Sequence, residues 1–335
     1  MKQLHNWFLK NQREFPWRVE RTPYKVWISE IMLQQTRANV VIPYFERWMG
    51  LFPNVRALAA APLERVIKAW EGLGYYSRAR NLHAGAQQIV ERFGGEIPSK
   101  REDLETIRGL GPYTIGAVLS FGFQERAPAV DGNVTRVVAR YFLIEENVCK
   151  GATKKKIEEK AEALLDREEP WVTAEALIEL GATICTPRPR CADCPIQEGC
   201  KAFHSNKAEV LPIKNAEKEI TELHRTVLLV VFQDKILVRK GKRGQVMADL
   251  YEFPYFEGRK REKLGLKGEW MGEFPVVSHS FTRYKAYLYP HLLRASNFKE
   301  VVGYEWISIA ELDQLPFSSG HRRILKEFRE CESFI

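Results

Sequence analysis

Two carboxylates, Asp131 and Glu30, stand in contrasting stretches of the sequence and are the first candidates for chemistry. Apolar residues recur at helical spacing just after Gly132-Asn133, so the pattern places Asp131 at or beside a helix N-cap. Free backbone amides and the helix dipole favour an anion there, which predicts a lowered pKa for Asp131. An ordinary capping aspartate is the alternative for an Asp-Gly-Asn segment considered alone.

Glu30 lies in an apolar segment, where it shares a predicted helix face with Val26, Trp27 and Leu33. Because an apolar environment disfavours the charged form, we predict a raised pKa for Glu30, which suits a proton donor near neutral pH. The alternative is a glutamate paired with an arginine, for which the candidates are Arg18, Arg37 and Arg78. One protonated and one ionised carboxyl facing the same site is the arrangement that breaks glycosidic bonds.

Four of the six cysteines cluster in one short segment, whereas Cys149 and Cys331 stand apart. The clustered residues are Cys185, Cys191, Cys194 and Cys200. Such clustering indicates metal binding rather than disulfides. Four thiolates hold either zinc or an iron-sulfur cluster, and the spacing alone leaves both open.

A Gly-Leu-Gly turn at residues 109–111 is followed by Pro112, a residue favoured at the first position of a helix. The backbone amides of Leu110 and Gly111 would then offer a site for a phosphate oxygen. A purely structural turn between helices is the alternative. Thr114 occupies the third position of a Gly-x-Gly-x-x-Gly motif, which argues against a dinucleotide-binding fold.

A second Gly-Leu-Gly turn, at residues 72–74, precedes Arg78 and Arg80. Bulky side chains on such a turn can wedge between base pairs while the arginines hold phosphates. Buried anchors of an interhelical turn are an equal alternative. Side chains suited to filling the gap that an extruded base leaves are Leu73, Tyr75 and the Gln34-Gln35-Thr36 end of the Glu30 helix.

The composition is that of a globular protein with a moderate basic excess. With 335 residues the chain exceeds a single core, so two or three domains are expected. Lys and Arg number 51 against 43 Asp and Glu, and the resulting charge of +8 is compatible with a polyanionic partner. The N-terminal residues lack a signal-peptide core and the longest apolar run is Val227–Phe232, so we expect a soluble, intracellular chain.

Helical periodicity continues through residues 1–204, and no convincing alternating strand interrupts it. The predicted helices are Lys2–Asn11, Tyr24–Thr36, Val40–Met49, Arg56–Ala60, Leu63–Trp70, Tyr76–Phe93, Lys100–Ile107, Pro112–Phe121, Val134–Tyr141, Lys154–Leu165 and Thr173–Gly181. A charged, irregular segment at 205–222 is typical of a linker.

The pattern changes after the linker. Strand-like runs are Thr226–Phe232, Lys235–Arg239, Tyr251–Pro254, Tyr284–Leu293 and Tyr304–Ile307, followed by predicted helices at Ala310–Leu315 and Gly320–Cys331. We therefore predict a multidomain protein with an all-α N-terminal domain and an α+β domain at 223–335.

Together these segments resemble the MutY family of adenine DNA glycosylases, within the endonuclease III-like helix-hairpin-helix superfamily. The matching motifs are Trp27–Thr36 (WISEIMLQQT), Gly72–Tyr76 (GLGYY), Gly109–Thr114 (GLGPYT), Val130–Arg136 (VDGNVTR) and the cysteine cluster. The resemblance implies a six-helix barrel at about 13–118 and a [4Fe-4S] module at about 1–12 and 119–204. It also implies a Nudix-like C-terminal domain that reads 8-oxoguanine.

The resemblance also assigns site residues. Glu30 is similar to the family's general acid on adenine N7, and Asp131 to the carboxylate that stabilises the oxocarbenium ion. Asn133 would support Asp131, and Tyr113 would line the catalytic pocket. Residues similar to the adenine pocket are Trp17, Arg18 and Leu33. Residues similar to those that contact the opposite purine or wedge the duplex are Gln35, Thr36, Leu73, Tyr75, Phe281, Thr282 and Arg283.

Other expectations follow from the resemblance. Lyase-competent members of the superfamily carry a lysine where this chain has Tyr113, so base removal without efficient strand cleavage is implied. The partner would be double-stranded DNA with adenine opposite 8-oxoguanine or guanine. The protein would act as a bacterial cytoplasmic monomer, associated with the nucleoid when it is bound to DNA.

Two departures from the family pattern stand out. The first cysteine interval is one residue shorter than the family's six, which should alter phosphate contacts of that loop more than the cluster. The family's lesion-reading Phe-Ser-His triplet is replaced by Phe281-Thr282-Arg283, so the preference for 8-oxoguanine over guanine becomes a question for experiment. The C-terminal domain also carries basic residues after Arg259 where a true Nudix hydrolase has a metal-binding acidic helix.

Three other functions compete with an adenine glycosylase. A bifunctional pyrimidine-lesion glycosylase and lyase would need a lysine in place of Tyr113. A DNA-binding scaffold without catalysis would not need acids at both Glu30 and Asp131. A nucleotide pyrophosphatase would need the acidic metal-binding helix.

The cysteine cluster generates a prediction. We expect a purified protein to absorb broadly at the blue end of the visible spectrum, because thiolate-bound iron-sulfur clusters are coloured and zinc sites are not. Absorbance together with iron and zinc analysis measures this. A colourless protein with stoichiometric zinc would contradict the iron-sulfur assignment.

Overall fold

The structure is a computed structural model and describes residues 1–215, 220–242, 244, 247–259, 263–281 and 284–331. Internal contacts divide the chain into two units. The first comprises Met1–Ala60 and Asn81–Ala216, and the second comprises Ala61–Arg80 and Glu217–Ile335. The domain limits expected from the sequence stay a prediction.

The N-terminal half of the chain is helical, as its periodicity predicted. The helices are α1 (Lys2–Asn11), α2 (Pro16–Val19), α3 (Pro23–Leu33), α4 (Ala38–Leu51), α5 (Val55–Ala60), α6 (Leu63–Ala69), α7 (Ser77–Phe93), α8 (Arg101–Glu105), α9 (Pro112–Ala117), α10 (Gly132–Phe142), α11 (Gly151–Leu164), α12 (Pro170–Thr183) and α13 (Lys201–His204). A π-helical turn, Val118–Gly122, extends α9. The two short helices α2 and α13 were not predicted, because four residues are too few to show a period.

Helix α3 is buried on nearly all sides, which explains its dense apolar sequence. Thr22 caps its N-terminus by accepting a hydrogen bond from the Lys25 amide at 3.2 Å, and Pro23 takes the first helical position. Trp27 and Ile28 are fully buried. Glu30 therefore sits in the interior of the unit, on a helix with little solvent-facing surface.

Helices α1, α10, α11 and α12 share a buried apolar core in the first unit. Its buried side chains include Leu4 and Phe8 from α1, Val134 and Val138 from α10, and Leu180 from α12. The i, i+3, i+4 spacing of the α10 valines produces this apolar face. The packing fixes the N-terminus of α10, where Asp131 stands as the N-cap.

The second unit contains a mixed sheet. Its strands are β1 (Thr221–Phe232), β2 (Lys235–Lys240), β3 (Tyr251–Glu252), β4 (Tyr255–Glu257), β5 (Gly268–Glu273), β6 (Val277–Phe281), β7 (Tyr284–Ala295) and β8 (Glu305–Ser308). The order is β3-β2-β1-β7-β5, with β4 on β1, β6 on β7 and β8 on β2. Helix α14 (Ser319–Glu330) follows a 3₁₀ segment, Ile309–Gln314.

Strand β1 is buried on both sheet faces. Val227 and Leu229 face one apolar cluster, whereas Leu228 and Val230 face the other. Burial on both faces accounts for its continuous apolar run, because such a strand needs no polar alternation. Strands β5 and β6 were not predicted from the sequence, since both are half exposed and carry weak apolar patterns.

No helix in the ranges that the structure describes is long and apolar enough to cross a membrane.

Gly116 generates a prediction about how Asp131 is positioned. A Cβ added at Gly116 in α9 would lie 2.1 Å from the carbonyl oxygen of Pro128, three residues before Asp131. We expect Gly116→Ala to lower the free energy of unfolding by roughly 1–3 kcal/mol, because the segment must shift to admit the methyl group. Urea denaturation followed by circular dichroism measures the change.

Gly50→Ala is the matched control, since Gly50 is an exposed residue of α4 whose added Cβ would meet nothing within 4 Å. It should stabilise the helix by up to about 1 kcal/mol. Equal effects of the two substitutions would show that the close approach at Gly116 does not constrain the segment before Asp131.

Candidate active site

A cavity of about 880 Å³ lies in the helical unit, and both candidate carboxylates line it. It brings together most of the site residues predicted from the sequence for this unit. They are Trp17, Arg18, Glu30, Leu33, Gln35, Thr36, Tyr113, Asp131 and Asn133. The cavity is large enough for a purine base and its sugar, given that small-molecule sites span about 300–1,000 Å³.

Glu30 is 7% exposed and its carboxylate accepts a hydrogen bond from the Tyr113 hydroxyl. Burial raises the pKa of Glu30 to about 7, and the negative charge of Asp131 adds to the rise while the Tyr113 hydrogen bond opposes it. The raised pKa predicted from the sequence is confirmed. In the described part of the chain, no arginine lies within ion-pair distance of Glu30, so the alternative of a simple ion pair does not hold.

Asp131 is the N-cap of α10, as predicted, and its Oδ1 accepts from the Val134 amide at 2.7 Å. The direction predicted for its pKa was wrong. Burial raises the pKa of Asp131, and this outweighs the hydrogen bonds from Val134 and Asn133 that lower it. The sequence showed the capping amides but not the depth of the cavity around them.

A chain of hydrogen bonds orients Asp131. Asn133 Nδ2 donates to Asp131 Oδ2 at 2.8 Å, and Arg136 Nη2 donates to Asn133 Oδ1 at 2.9 Å. Arg136 in turn donates to the Gly181 carbonyl at 2.7 Å. There is no room for a side chain at Gly181, because an added Cβ would lie only 2.6 Å from Asn133 Cβ. Helix α12 thereby supports the catalytic end of α10.

Two buried glutamates on α12, Glu175 and Glu179, form a cavity wall that sequence analysis missed. Arg18 Nε lies 2.6 Å from Glu175 Oε1, and Arg18 Nη2 lies 2.8 Å from Glu179 Oε2. Arg13 Nε also lies 2.5 Å from Glu179 Oε1. The available signal was two glutamates one turn apart in an otherwise apolar helix.

The aromatic side of the cavity is formed from α2 and the residues next to it. Trp17 is 7% exposed and stacks on Phe15, with ring centroids 4.8 Å apart. The Arg18 guanidinium lies 5.0 Å from the centre of the same Phe15 ring. These contacts hold Trp17 and Arg18 in fixed positions on the cavity wall.

The turn between α8 and α9 has the expected helix-hairpin-helix form. Gly109 has a φ of +87°, and an added Cβ would lie 2.6 Å from Asn81 Cβ, so this position requires glycine. The Leu110 amide donates to the Ile107 carbonyl at 3.3 Å, which corrects the expectation that it is free. Gly111 is exposed as the N-cap of α9.

The turn at residues 72–74 belongs to the second unit, where its arginines are already engaged. Arg78 Nη2 donates to the Leu73 carbonyl at 2.9 Å, and Arg80 Nη1 donates to the Ala248 carbonyl at 2.9 Å. Arg78 is 8% exposed and Leu73 is buried. The expectation that Arg78 is available to hold a phosphate is therefore wrong for this conformation.

Tyr75 and Phe281 line one cavity of about 380 Å³ in the second unit. Tyr75 is 42% exposed, and Phe281 stacks on His279 with ring centroids 5.2 Å apart. Thr282 and Arg283, which were also expected to read the opposite base, lie outside the described residues.

Cys185, Cys191, Cys194 and Cys200 surround a cavity of about 30 Å³ in the first unit. No three His, Cys, Asp or Glu side chains in the described ranges converge closely enough to share a single metal ion. In a four-iron cluster each thiolate binds a different iron, so its ligands stand farther apart than those around zinc. Four cysteine thiols around one space are a donor set that suits either a [4Fe-4S] cluster or zinc.

A buried cation that the sequence did not reveal faces these thiols. Arg140 is 2% exposed, and its Nη1 lies 3.3 Å from Cys185 Sγ. It also donates to the carbonyls of Thr186 at 2.6 Å and Leu211 at 3.0 Å. A fixed positive charge at this position would lower the cost of burying an anionic, thiolate-bound metal group.

The chain is similar to known DNA repair proteins. Residues 28–167 match the HhH-GPD superfamily of base excision DNA repair proteins, and residues 226–327 match the NUDIX domain. An adenine DNA glycosylase from Buchnera aphidicola of Acyrthosiphon pisum is 30% identical over 341 residues, covering 97% of this chain and 96% of the relative.

Two further similarities each cover about three fifths of this chain. The Homo sapiens adenine DNA glycosylase is 41% identical over 218 residues, which is 62% of this chain and 40% of the human protein. A solved structure of a thermostable thymine-DNA glycosylase is 27% identical with a TM-score of 0.55, and it covers 61% of this chain and 94% of that one.

Proposed function

Because the chain belongs to the adenine DNA glycosylase family of base excision DNA repair enzymes, we propose that it excises adenine paired with 8-oxoguanine or guanine. Its partner is DNA, and the reaction hydrolyses an N-glycosidic bond. The observation that carries the proposed mechanism is the single cavity in which a buried, hydroxyl-bound Glu30 and a capped Asp131 face the same space.

Glu30 acts as the general acid in this mechanism. A pKa of about 7 leaves a large share of its carboxyl groups protonated at neutral pH, so a proton is available for N7 of the departing adenine. Protonation makes the base a better leaving group, because it departs neutral rather than as an anion. The Tyr113 hydroxyl fixes the Glu30 carboxyl and stabilises the anion that remains after transfer.

Asp131 stabilises the positive charge that develops on the sugar as the bond breaks. Its two oxygens accept from Val134 and Asn133, and these bonds offset part of the cost that burial places on the charged form. The carboxylate is therefore oriented before the substrate binds, which avoids reorganisation in the transition state. Water then attacks the sugar, directly or after a covalent adduct with Asp131.

The flipped adenine would occupy the part of the cavity between Trp17, Leu33 and Arg18. Trp17 supplies a flat aromatic wall for a base, and Leu33 supplies an apolar one. Arg18 is held at a defined position by two carboxylates on α12, so it can contact the base without leaving its place.

Reading of the opposite base is assigned to Gln35, Thr36, Leu73, Tyr75 and Phe281, together with Thr282-Arg283. The exposed ring of Tyr75 can stack in a duplex, and Phe281 lines the same cavity. The hairpin residues Leu110 and Gly111 would contact the DNA backbone, with the exposed Gly111 turn as the principal contact.

A monofunctional reaction is supported by the cavity lining. A lyase needs an amine that forms a Schiff base with the sugar. The described residues that line the active-site cavity include no lysine, and Tyr113 contributes a hydroxyl instead. Base removal should therefore leave an intact abasic strand.

The four cysteines would hold a [4Fe-4S] cluster, with Arg140 as a charge-compensating neighbour. When bound, the cluster supplies a rigid fold for the loop at residues 185–200 and no step of base removal. The exposed Arg188 and Lys201 on and beside this loop would meet DNA phosphates, whereas Arg190 already donates to the Thr183 carbonyl at 3.2 Å.

Asp131→Asn tests the role of the second carboxylate. We expect the single-turnover rate of adenine release to fall at least about a hundredfold, because the charge that stabilises the cationic sugar is lost. Binding to the duplex should stay unchanged. Asp234→Asn, at an exposed turn, is the control. A variant that keeps near-normal release would remove Asp131 from the mechanism.

The dependence of adenine release on the opposite base is tested with otherwise identical duplexes that carry adenine opposite 8-oxoguanine, guanine or thymine. We expect single-turnover release opposite both purines, read by alkali cleavage of the abasic product, and only background opposite thymine. Equal rates opposite the two purines would show that Thr282-Arg283 has relaxed the lesion preference.

The same assay separates the competing functions. Strand cleavage without alkali, with borohydride trapping of the enzyme, would point to a bifunctional lyase. Absence of release from every duplex would point to a binding protein without catalysis, and magnesium-dependent hydrolysis of a nucleoside triphosphate would point to a pyrophosphatase.

A further inference from the structure

The ion-pair cluster on the α12 wall of the cavity holds Arg18 in place, and it also brings two negative charges to the cavity that contains Glu30. Glu175 and Glu179 are buried, and each pairs with more than one arginine. Ion pairs buried this deeply are costly to assemble and contribute little net stability, so a stabilising role alone is a weak explanation.

The Arg18 guanidinium is held on three sides. Its Nε donates to Glu175 at 2.6 Å, its Nη2 donates to Glu179 at 2.8 Å, and its Nη1 donates to the Arg13 carbonyl at 2.5 Å. Arg21 Nη1 lies 2.7 Å from the second oxygen of Glu175, as an ion pair rather than an aligned hydrogen bond. Glu175 therefore bridges Arg18 and the more exposed Arg21.

Several charged or titratable groups line the same cavity as Glu30. They are Tyr113 from α9, Asp131 from the start of α10, Glu175 from α12 and Arg18 from α2. Arg18 favours ionisation of Glu30, whereas Glu175 and Asp131 oppose it. The protonation state of Glu30 thus depends on whether a negative charge beside Arg18 compensates its positive charge.

We propose that Glu175 is a positioning residue that binds and neutralises Arg18, so that Glu30 keeps its proton for the departing adenine. The inference rests on the proposed role of Glu30 as the general acid. Losing the Glu175 charge removes its repulsion of the Glu30 anion, which otherwise offsets the attraction of Arg18 for that anion, so Glu30 gives up its proton at lower pH.

The test is Glu175→Gln in the full-length protein, with single-turnover adenine release measured as a function of pH. Release by a general acid declines as pH rises through the pKa of that acid, so a lower pKa moves the decline to lower pH. We expect the variant to be roughly three- to tenfold slower than wild type at about pH 8. The rate of the variant relative to wild type should be at least about threefold higher at about pH 5.5, where Glu30 is protonated in both proteins, than at about pH 8.

Glu146→Gln is the matched control. Glu146 pairs with Lys156 at 2.6 Å on the surface of the same unit, so the substitution removes an ion-paired charge away from the cavity. Its pH profile should coincide with that of wild type.

Arg21→Gln is a second variant, for which we expect the pH profile to shift in the opposite direction. Removing Arg21 leaves Glu175 less compensated, so the decline should move to higher pH. Because Arg21 is partly exposed, this variant also serves if Glu175→Gln does not fold.

The outcomes separate the inference from the function that it rests on. A wild-type enzyme that releases no adenine contradicts the proposed function, and a wild-type rate without an alkaline decline contradicts the role of Glu30. If wild type shows the decline and Glu175→Gln lowers the rate equally at every pH, Glu175 is only structural and the inference is overturned. An unshifted profile in both variants overturns it as well.

Discussion

The burial of one carboxyl group, Glu30, is the constraint on which the helical unit depends. A carboxylate inside an apolar helix is unfavourable unless it is protonated or receives hydrogen bonds. The structure supplies one donor, the Tyr113 hydroxyl, and places no arginine against it in the described ranges. The group is therefore left near the midpoint of its titration at neutral pH, which is where a proton donor is most effective.

Helix α12 organises the charges around that group. Its glutamates compensate the arginines that come from the N-terminal segment, and its Gly181 lets α10 approach closely enough for Asn133 to orient Asp131. Two carboxyls thus lie in one cavity with different partners. One has a hydroxyl donor and, among the residues that the structure describes, no arginine within ion-pair distance, and the other has backbone and amide donors at a helix N-terminus.

The second unit is stabilised differently, by a sheet whose central strand is buried on both faces. Its scaffold carries Phe281 and the exposed ring of Tyr75 to the edges of one cavity, although the two residues are 206 positions apart in the sequence. Arg78 stacks on Trp70 and Tyr75 and binds the turn between them, so it stabilises the shape of this turn rather than offering a free charge.

The sequence by itself determined what local pattern can determine. Helical spacing predicted most of the helices, the Asp-Gly-Asn segment predicted the N-cap at Asp131, and the apolar neighbours of Glu30 predicted its raised pKa. Only the tertiary structure decided the rest. The raised pKa of Asp131 comes from a cavity built by distant helices, and the pairing of Arg18 with Glu175 joins residues 157 positions apart. The burial of Arg140 beside the thiols likewise depends on segments far apart in the chain. Desolvation and ion pairing depend on distances in space, and such distances are not encoded in the spacing of neighbouring residues.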